Sequence, residues 1–440
     1  MTLPSAGRGA AQGERAVVVD GCRTPFLRSG TDFTDLMAYD LGRMAVAGVL
    51  HRTGVDRSAV DYVVMGTVIQ DMFTSNLARE VALTTGLPKN VPAHTVTMAC
   101  ISSNQALATV VEKIRSGEAR IAVAGGAETC SDIPIRFRRA MRKRLIAAQK
   151  YKKPTDWLKF LFGLRPSLVL PEVPAISEFS TGLTMGQSCD RLTSLTGVPR
   201  KEQDEFALRS HKAAAEATQA GRLAQEIEPA VIPPKFKPIA ADNGFRADTT
   251  LAKLGTLPAA FNRKFGTATA GNSSFLTDGG SALLVMSETR ARELGYAAKG
   301  LVRSYAFVGC DNLDELLLGP AHAIPRALAA AGLKLSDIDV FEIHEAFAGS
   351  TLAVRNAIAS PKLAKDLLGL DAPLGEIPMD KMNADGGSLS LGHPFGATGA
   401  RLVMATCRRL AATGGKFGLL AACAAGGLGH AMVLERIETR

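Results

Sequence analysis

The stretch "TMACISSNQALATVVEKI", Thr97–Ile114, decides the fold class. Met98, Ala99, Ile101, Ala106, Leu107, Val110, Val111 and Ile114 leave little polar face, so the segment predicts a buried helix. Cys100 stands at its mouth among the small polar residues Ser102, Ser103 and Asn104. A strand-like run precedes it, "VDYVVMGTVIQ" (Val60–Gln70), and a glycine-ended strand follows, "RIAVAGGAETC" (Arg120–Cys130). The same order returns near the C-terminus. "IDVFEIHEAFAGS" (Ile338–Ser350) comes first. A glycine-rich loop then runs into a helix, "GGSLSLGHPFGATGARLVMATCRRLAATG" (Gly386–Gly414), and "KFGLLAACAAGGLGHAMVLE" (Lys416–Glu435) is the closing strand. The period is far too long for a solenoid, so the pattern indicates a duplicated domain. Apolar β-rich runs alternating with helices predict an α/β fold with its sheets buried under helices. Between the halves, roughly residues 131–275, lies a loop-rich insertion with proline-marked turns ("RPSLVLPEVP", "VIPPKFKP") and one long helix, "PRKEQDEFALRSHKAAAEA".

Composition narrows the function classes. The 440 residues are 46% apolar, enough for a large core and more than one domain. No run approaches the eighteen or so apolar residues of a membrane span. The first fifteen residues lack an apolar signal core, which predicts a cytoplasmic protein. Seven cysteines without paired spacing argue against a disulfide framework. The net charge of +9 is local. Arg136–Arg165 holds eleven cations and one acid, a net +10, so the rest of the chain is −1. Charge therefore does not make the fold a nucleic-acid binder.

Cys100 at a predicted helix N-terminus is a candidate nucleophile. Free N–H groups and the positive end of the helix dipole favour a thiolate and would form half an oxyanion hole. A free cysteine is otherwise a small buried hydrophobe, so it needs a base. His393 in "GHPFGATGARL" is the candidate. Gly392, Gly396 and Gly399 permit unusual backbone angles and close approach, and Pro394 stiffens the turn. His51, His94, His211, His322 and His430 lack such a setting. Cys423 ends an apolar strand at a glycine-rich turn, and His344 ends a strand beside Glu345. Two Cys and two His are metal-ligand types, but without close pairing no metal is expected. Neither "AGGAE" nor "GGLG" is a dinucleotide-binding unit.

Together, Cys100 at a helix start, "HEAF", "GHPFGATG" and "CAAGGLGHA" resemble the thiolase family. The likeness runs from "RTPF" (Arg23–Phe26) to the C-terminus, through "GTVIQ", "NLARE", "EQDEFALRSH" and "TAGNSSFLTDGGS". "HEAF" for the commoner "NEAF", "CAAGG" for "CxGGG", the basic insertion and "PAISEFSTGLTMGQS" are similar to one subgroup: the thiolase β-subunits of trifunctional-type fatty-acid oxidation complexes. The resemblance implies two duplicated βαβαβαββ halves in a five-layered αβαβα core. A flexible N-terminus would span 1–14, the N-terminal domain 15–130 and 276–296, a loop domain 131–275, and the C-terminal domain 297–440. It implies an acyl-CoA:acetyl-CoA C-acyltransferase that cleaves 3-ketoacyl-CoA with CoA, the last step of fatty-acid β-oxidation. Cys100 would carry the acyl group and His393 would take its proton. Cys423 would protonate the acetyl-CoA carbanion. His344 would bind the thioester oxygen, a task usually given to asparagine. The N–H groups of Cys100 and Ala425 would form a second oxyanion hole. Ser274 would lie near the pantetheine, Arg246 against the adenine, and Met185 in the acyl pocket. Thr184 stands where many thiolases have histidine. CoA and acyl-CoA are substrates, and no cofactor is implied.

Two other functions stay open at this level: a biosynthetic acetoacetyl-CoA thiolase and a non-catalytic lipid- or CoA-binding subunit. Implied partners are copies of the same chain, as dimer or tetramer, and a hydratase/dehydrogenase α-subunit. Within the basic segment, "DWLKFLFGL" (Asp156–Leu164) sets Trp157, Leu158, Phe160, Leu161, Phe162 and Leu164 behind the cations. That order suits peripheral contact with an anionic membrane, at the inner membrane face. Packing of these residues on the loop domain is the plain alternative.

Overall fold

The computed structural model describes residues 13–172 and 177–437. Residues 1–12 of the expected flexible N-terminus, and 174–176 of the segment after the basic stretch, lie outside the described residues. Nine strands build the main sheet: β1 (Ala16–Arg23), β2 (Tyr62–Gly66), β3 (Ala93–Val96), β4 (Ile121–Glu128), β5 (Thr277–Ser287), β6 (Gly300–Gly309), β7 (Val340–Ile343), β8 (Phe417–Ala424) and β9 (Leu428–Glu435). Their order is β7-β8-β9-β6-β1-β5-β4-β2-β3, and a tenth, two-residue strand, Leu27–Arg28, pairs with β5.

The duplication is visible in the pairing. In the first half β2 runs parallel to β4, β4 antiparallel to β5, and β5 antiparallel to β1. In the second, β7 runs parallel to β8, β8 antiparallel to β9, and β9 antiparallel to β6. The counterpart of β3 shrinks to one parallel bridge, Phe341 to Met382. The halves meet through two residue pairs of β1 and β6, Val17–Leu301 and Val18–Gly300.

Side-chain alternation sorts the strands into layers. In β5, Ala282, Leu284 and Met286 join an outer core with α1 (Ala38–Thr53) and α2 (Leu77–Thr84). Leu283 and Val285 turn to a central core with α3 (Ser102–Arg115). From the other half, Leu420, Ala422 and Ala424 of β8 enter that central core, while Leu419, Ala421 and Cys423 face a third core. The order is helices, sheet, central helices, sheet, helices: five layers, as the resemblance implied.

The insertion is more helical than the sequence suggested. It contains α4 (Arg139–Ala148), α5 (Pro154–Phe162), α6 (Met185–Thr196) and α7 (Arg200–Gln219). Cys189, Leu192, Phe206 and Ala207 of α6 and α7 belong to the third core, with α8 (Gly319–Ala331) and α9 (Ala348–Ala359). Helices α6 and α7 thus leave the first half in sequence and pack on the second in space, while Ala230, also of the insertion, stays in the outer core of the first half. The closing run, expected as one strand, is a hairpin. Gly426 (φ 85°) and Gly427 (φ 66°) adopt the left-handed conformation that turns β8 into β9.

Helix α10 (Thr398–Thr413) is the second central helix. Its approach depends on the glycines singled out above. A Cβ on Gly399 would lie 2.1 Å from Asn104 Oδ1 of α3, and a Cβ on Gly126 would lie 1.9 Å from the Gly396 carbonyl oxygen. Only glycine lets the His393 turn come this close to the end of β4 and the start of α3.

Candidate active site

Cys100 sits in a tight turn between β3 and α3. Ala99 is left-handed (φ 47°), a costly conformation for a residue with a side chain. The turn is held by Ser102, whose Oγ accepts from the Met98 N–H (2.8 Å) and donates to the Ala99 carbonyl (2.7 Å). The helix begins at Ser102, so Cys100 is just outside its first turn. The expected thiolate is not favoured here. Burial pushes the thiol up to about 12, against an N–H donated by Ala425; the carboxylate of Glu128 pushes the same way as burial. Desolvation outweighs the helix end, and the resting group is a thiol.

His393 is buried in the turn before α10, its backbone N–H donating to Thr277 Oγ1 (2.9 Å). Its Nδ1 is 2.7 Å from Thr398 Oγ1. The Thr398 hydroxyl has one proton, which it donates to the Pro394 carbonyl (3.2 Å). It therefore accepts from Nδ1–H, and the network assigns the lone pair to Nε2. That atom is buried and has no hydrogen-bond partner among the described residues. Burial, and then the charge of Arg401, lower the imidazolium to about 3. His393 at rest is a neutral base.

His344, at the end of β7, packs against it with ring centroids 4.2 Å apart. Its Nε2 is likewise buried without a partner among the described residues, and burial holds the imidazolium well below its usual range. Cys100, His344 and His393 each present one ligand atom, all within 4.8 Å of one another. Residues 244 and 293 positions apart meet, which sequence spacing could not show. Cys423, the last but one residue of β8, is buried, and desolvation raises its thiol above the usual range, with Cys100 next among the causes. A protonated thiol there is a proton donor. The Ala425 turn is held from the insertion, where Glu178 Oε2 accepts from the Gly426 N–H (2.7 Å).

Cys100, His393, Cys423 and Ala425 open on one cavity of about 500 Å³. Val68, Met185, Phe261, Leu317 and Phe347 give it apolar walls, and Ser274 and Thr184 also line it. Thr184 is at the same time the N-cap of α6: its hydroxyl accepts from the Gln187 N–H (3.3 Å) and donates to Gln187 Oε1 (3.1 Å). Arg246 lies apart from the lining, exposed on the surface, with its backbone N–H on His211 Nδ1. Its charge acts on Arg28, whose guanidinium covers the ring of Phe275, a cavity residue, at 4.1 Å.

The sequence did not reveal the groups behind the site. Glu128 ends β4 and accepts from the N–H groups of Val68, Ile69 and Gly396 and from Thr67 Oγ1, tying the His393 turn to the loop after β2. Burial lifts its carboxyl to about 7. Thr398, Ser388 and Arg401 were also missed. A signal existed for Arg401: it is a charge in the otherwise apolar stretch "ARLVMA" of a helix with a buried face.

These values predict a flat pH profile. The pair stays neutral from about 3, where His393 would charge, to about 12, where Cys100 would ionise. Only the buried Glu128 carboxyl, which titrates near 7 behind the His393 turn, falls between pH ~5.5 and ~8, so a Glu128→Gln variant should show kcat/KM for acylation changing less than about two-fold across that window. An acid limb centred near 6.5, that of an ordinary imidazole, that persists in this variant would contradict the burial argument.

Two thiols and one neutral imidazole line an apolar cavity, with a second imidazole beside the first, in a duplicated five-layered α/β fold; such a set has the groups that cysteine-dependent acyl transfer needs. Residues 16–289 match the family model "Thiolase, N-terminal domain", and residues 296–436 match "Thiolase, C-terminal domain". The chain is 52% identical to the mitochondrial trifunctional enzyme subunit beta of Bos taurus over 419 residues, 95% of this chain and 88% of that protein. It is 45% identical to a 3-ketoacyl-CoA thiolase of Pectobacterium carotovorum over 424 residues, 96% of this chain and 97% of that one. The crystal structure of human mitochondrial 3-ketoacyl-CoA thiolase superposes with a TM-score of 0.82 at 30% identity, covering 97% of this chain and all of that one. The chain belongs to the thiolase family.

Proposed function

We propose that the chain is a 3-ketoacyl-CoA thiolase: an acyltransferase that cleaves 3-ketoacyl-CoA with CoA in fatty-acid β-oxidation. The observation that carries this is the convergence of Cys100, His393 and Cys423 on one apolar cavity, with His344 beside His393 and its ligand atom within 4.8 Å of those of Cys100 and His393. Each residue has a role that its environment supports. The Cys100 proton passes to His393 Nε2 as the sulfur attacks C3 of the substrate; thiolate and imidazolium form together and offset each other's charge. His344 and backbone N–H groups hold the substrate oxygens. The C2–C3 bond then breaks, its electron pair goes to C2, and the Cys423 thiol protonates C2 to give acetyl-CoA. In the second half-reaction the CoA thiol returns a proton to Cys423 and attacks the acyl-Cys100 thioester. The departing Cys100 sulfur recovers its proton from His393. Covalent storage of the acyl group is what lets two CoA-borne partners use one cavity in turn.

The CoA chain is proposed to enter past Ser274 and the Thr184–Met185 end of α6, with its nucleotide on the surface by Arg246 and Arg28. The reading is tested by acetyl-CoA formation from 3-ketoacyl-CoA and CoA. Turnover of acetoacetyl-CoA alone would indicate the short-chain enzyme, and no turnover a non-catalytic subunit.

The basic segment is proposed to mediate association. Helices α4 and α5 form a hairpin with a small core of its own, Met141, Ala148 and Phe160. The plain alternative, packing on the loop domain, fits poorly: Trp157 is 48%, Leu161 59% and Phe162 84% exposed. Exposed Lys143, Lys150, Lys152, Lys153 and Lys159 surround these residues. Among the described residues no helix is long and apolar enough to cross a membrane. We propose that the hairpin rests on an anionic lipid surface, with apolar residues in the interface and lysines on headgroups. Association with copies of the chain and with an α-subunit belongs to the same proposal, as does a cytoplasmic location at the inner membrane face. Two variants test the hairpin: Arg138, Arg139 and Lys143 changed to Glu, and Leu161 and Phe162 changed to Asp. Both should co-sediment less with anionic vesicles while thiolysis stays unchanged. Wild-type binding should weaken with salt, since exposed charges are screened over about 10 Å at 0.1 M. Unaltered vesicle binding in both variants would remove the membrane proposal, and loss of α-subunit capture alone would make the hairpin a docking element.

A further inference from the structure

His344 can help with an oxygen only if Nε2, which has no partner among the described residues, carries a proton. A neutral imidazole carries one proton, and the partner of the other nitrogen decides where it sits. For His344 that partner is Ser388, whose Oγ is 2.9 Å from Nδ1. Ser388 is fully buried, just before the His393 turn. Arg401 Nη2 donates to the same Oγ at 3.1 Å. A guanidinium can only donate, so one lone pair of Ser388 is taken. The single Ser388 proton then has His344 Nδ1 as its one acceptor among the described residues. Accepting from both neighbours instead would strand a buried hydroxyl proton.

Arg401 is fixed from behind. Its Nη1 is 3.8 Å from Glu342 Oε2, and Glu342 Oε1 takes a 2.7 Å hydrogen bond from Arg409. All three charged side chains are buried. The line Arg409–Glu342–Arg401–Ser388 thus ends on His344. The positive charge of Arg401 also acts against protonation of both imidazoles.

We propose that Ser388, oriented by Arg401, is a positioning residue that holds His344 as the Nε2–H tautomer, the hydrogen-bond donor to the substrate's thioester oxygen. The two adjacent imidazoles then carry opposite tautomers. His393, its Nδ1–H on Thr398, offers a lone pair, and His344, its Nδ1 on Ser388, offers a proton. One site so gains a base and a donor from the same residue type. The inference rests on the thiolase reading of the site.

The test is a cycle of four proteins: wild type, Ser388→Ala, His344→Asn and the double variant. An asparagine amide brings its own N–H donor whatever residue 388 is. In the histidine background Ser388→Ala should lower kcat about 10- to 100-fold with little change in KM for CoA. In the asparagine background the same change should cost less than about two-fold. Equal losses in both backgrounds would mark Ser388 as merely structural and overturn the proposal, as would no loss in the histidine background. A second readout does not need turnover. Long-range ¹H–¹⁵N spectra of ring-labelled histidines should show His344 protonated at Nε2 and His393 at Nδ1. The same tautomer for both would also overturn it. A wild type that shows these tautomers without thiolysis would remove the thiolase reading and, with it, the role assigned to the His344 donor.

Discussion

Replacing Cys100 by alanine lowers thiolysis by on the order of 10⁴- to 10⁶-fold, because no other group can store the acyl chain between the two half-reactions. Ala99 holds residue 100 in a strained turn facing the cavity, and the Ala425 N–H is directed at the sulfur. CoA binding should survive, since the proposed contacts at Ser274, Thr184 and Arg246 do not involve the sulfur. The check is the mass of the protein after mixing with acyl-CoA, beside calorimetry with CoA. An acyl adduct that persists in the alanine variant would contradict the assignment.

Changing Cys423 to serine should separate two chemistries that the wild type couples. Acylation of Cys100 by a simple acyl-CoA needs only the thiol, His393 and the oxygen-binding groups, so it should stay within about ten-fold of wild type. Carbon–carbon cleavage needs a proton at C2, and a serine hydroxyl is a far weaker acid than a thiol. Loss of a positioned general acid is worth about 10²- to 10⁴-fold, and thiolysis of 3-ketoacyl-CoA should fall by that factor. The reverse direction gives an independent readout. Exchange of acetyl-CoA methyl protons with deuterated solvent should be lost with it. Normal exchange in the variant would show that another group handles the proton.

What could be learned before the structure followed from local pattern. Buried strands such as β4 and β8 are near-continuous apolar runs, and glycine-rich turns bracket them, so the duplicated order was legible from periodicity and turn chemistry. The roles came from the resemblance, carried by four short motifs. The errors have physical causes. The Cys100 thiolate was inferred from a helix end alone, whereas its protonation depends on burial by residues far along the chain. The closing run was expected as one strand although a glycine-rich turn is legible after Cys423, because two glycines alone do not say that the chain reverses and pairs with itself. The insertion looked loop-rich because prolines in it stand at helix starts, Pro154 among them, where they are tolerated. The Arg401–Ser388–His344 line was invisible because its members are 13 and 44 positions apart and are joined only by the packing of α10 against the end of β7.

The proposed mechanism passes through one covalent intermediate. Wild-type protein should be mixed with a 3-ketoacyl-CoA in the absence of free CoA, quenched in acid, digested and mapped by mass. The predicted result is one equivalent of acetyl-CoA released per active site, with the shortened acyl group on the peptide that holds Cys100. Release without an adduct, or an adduct on Cys423 or any other residue, would contradict the mechanism.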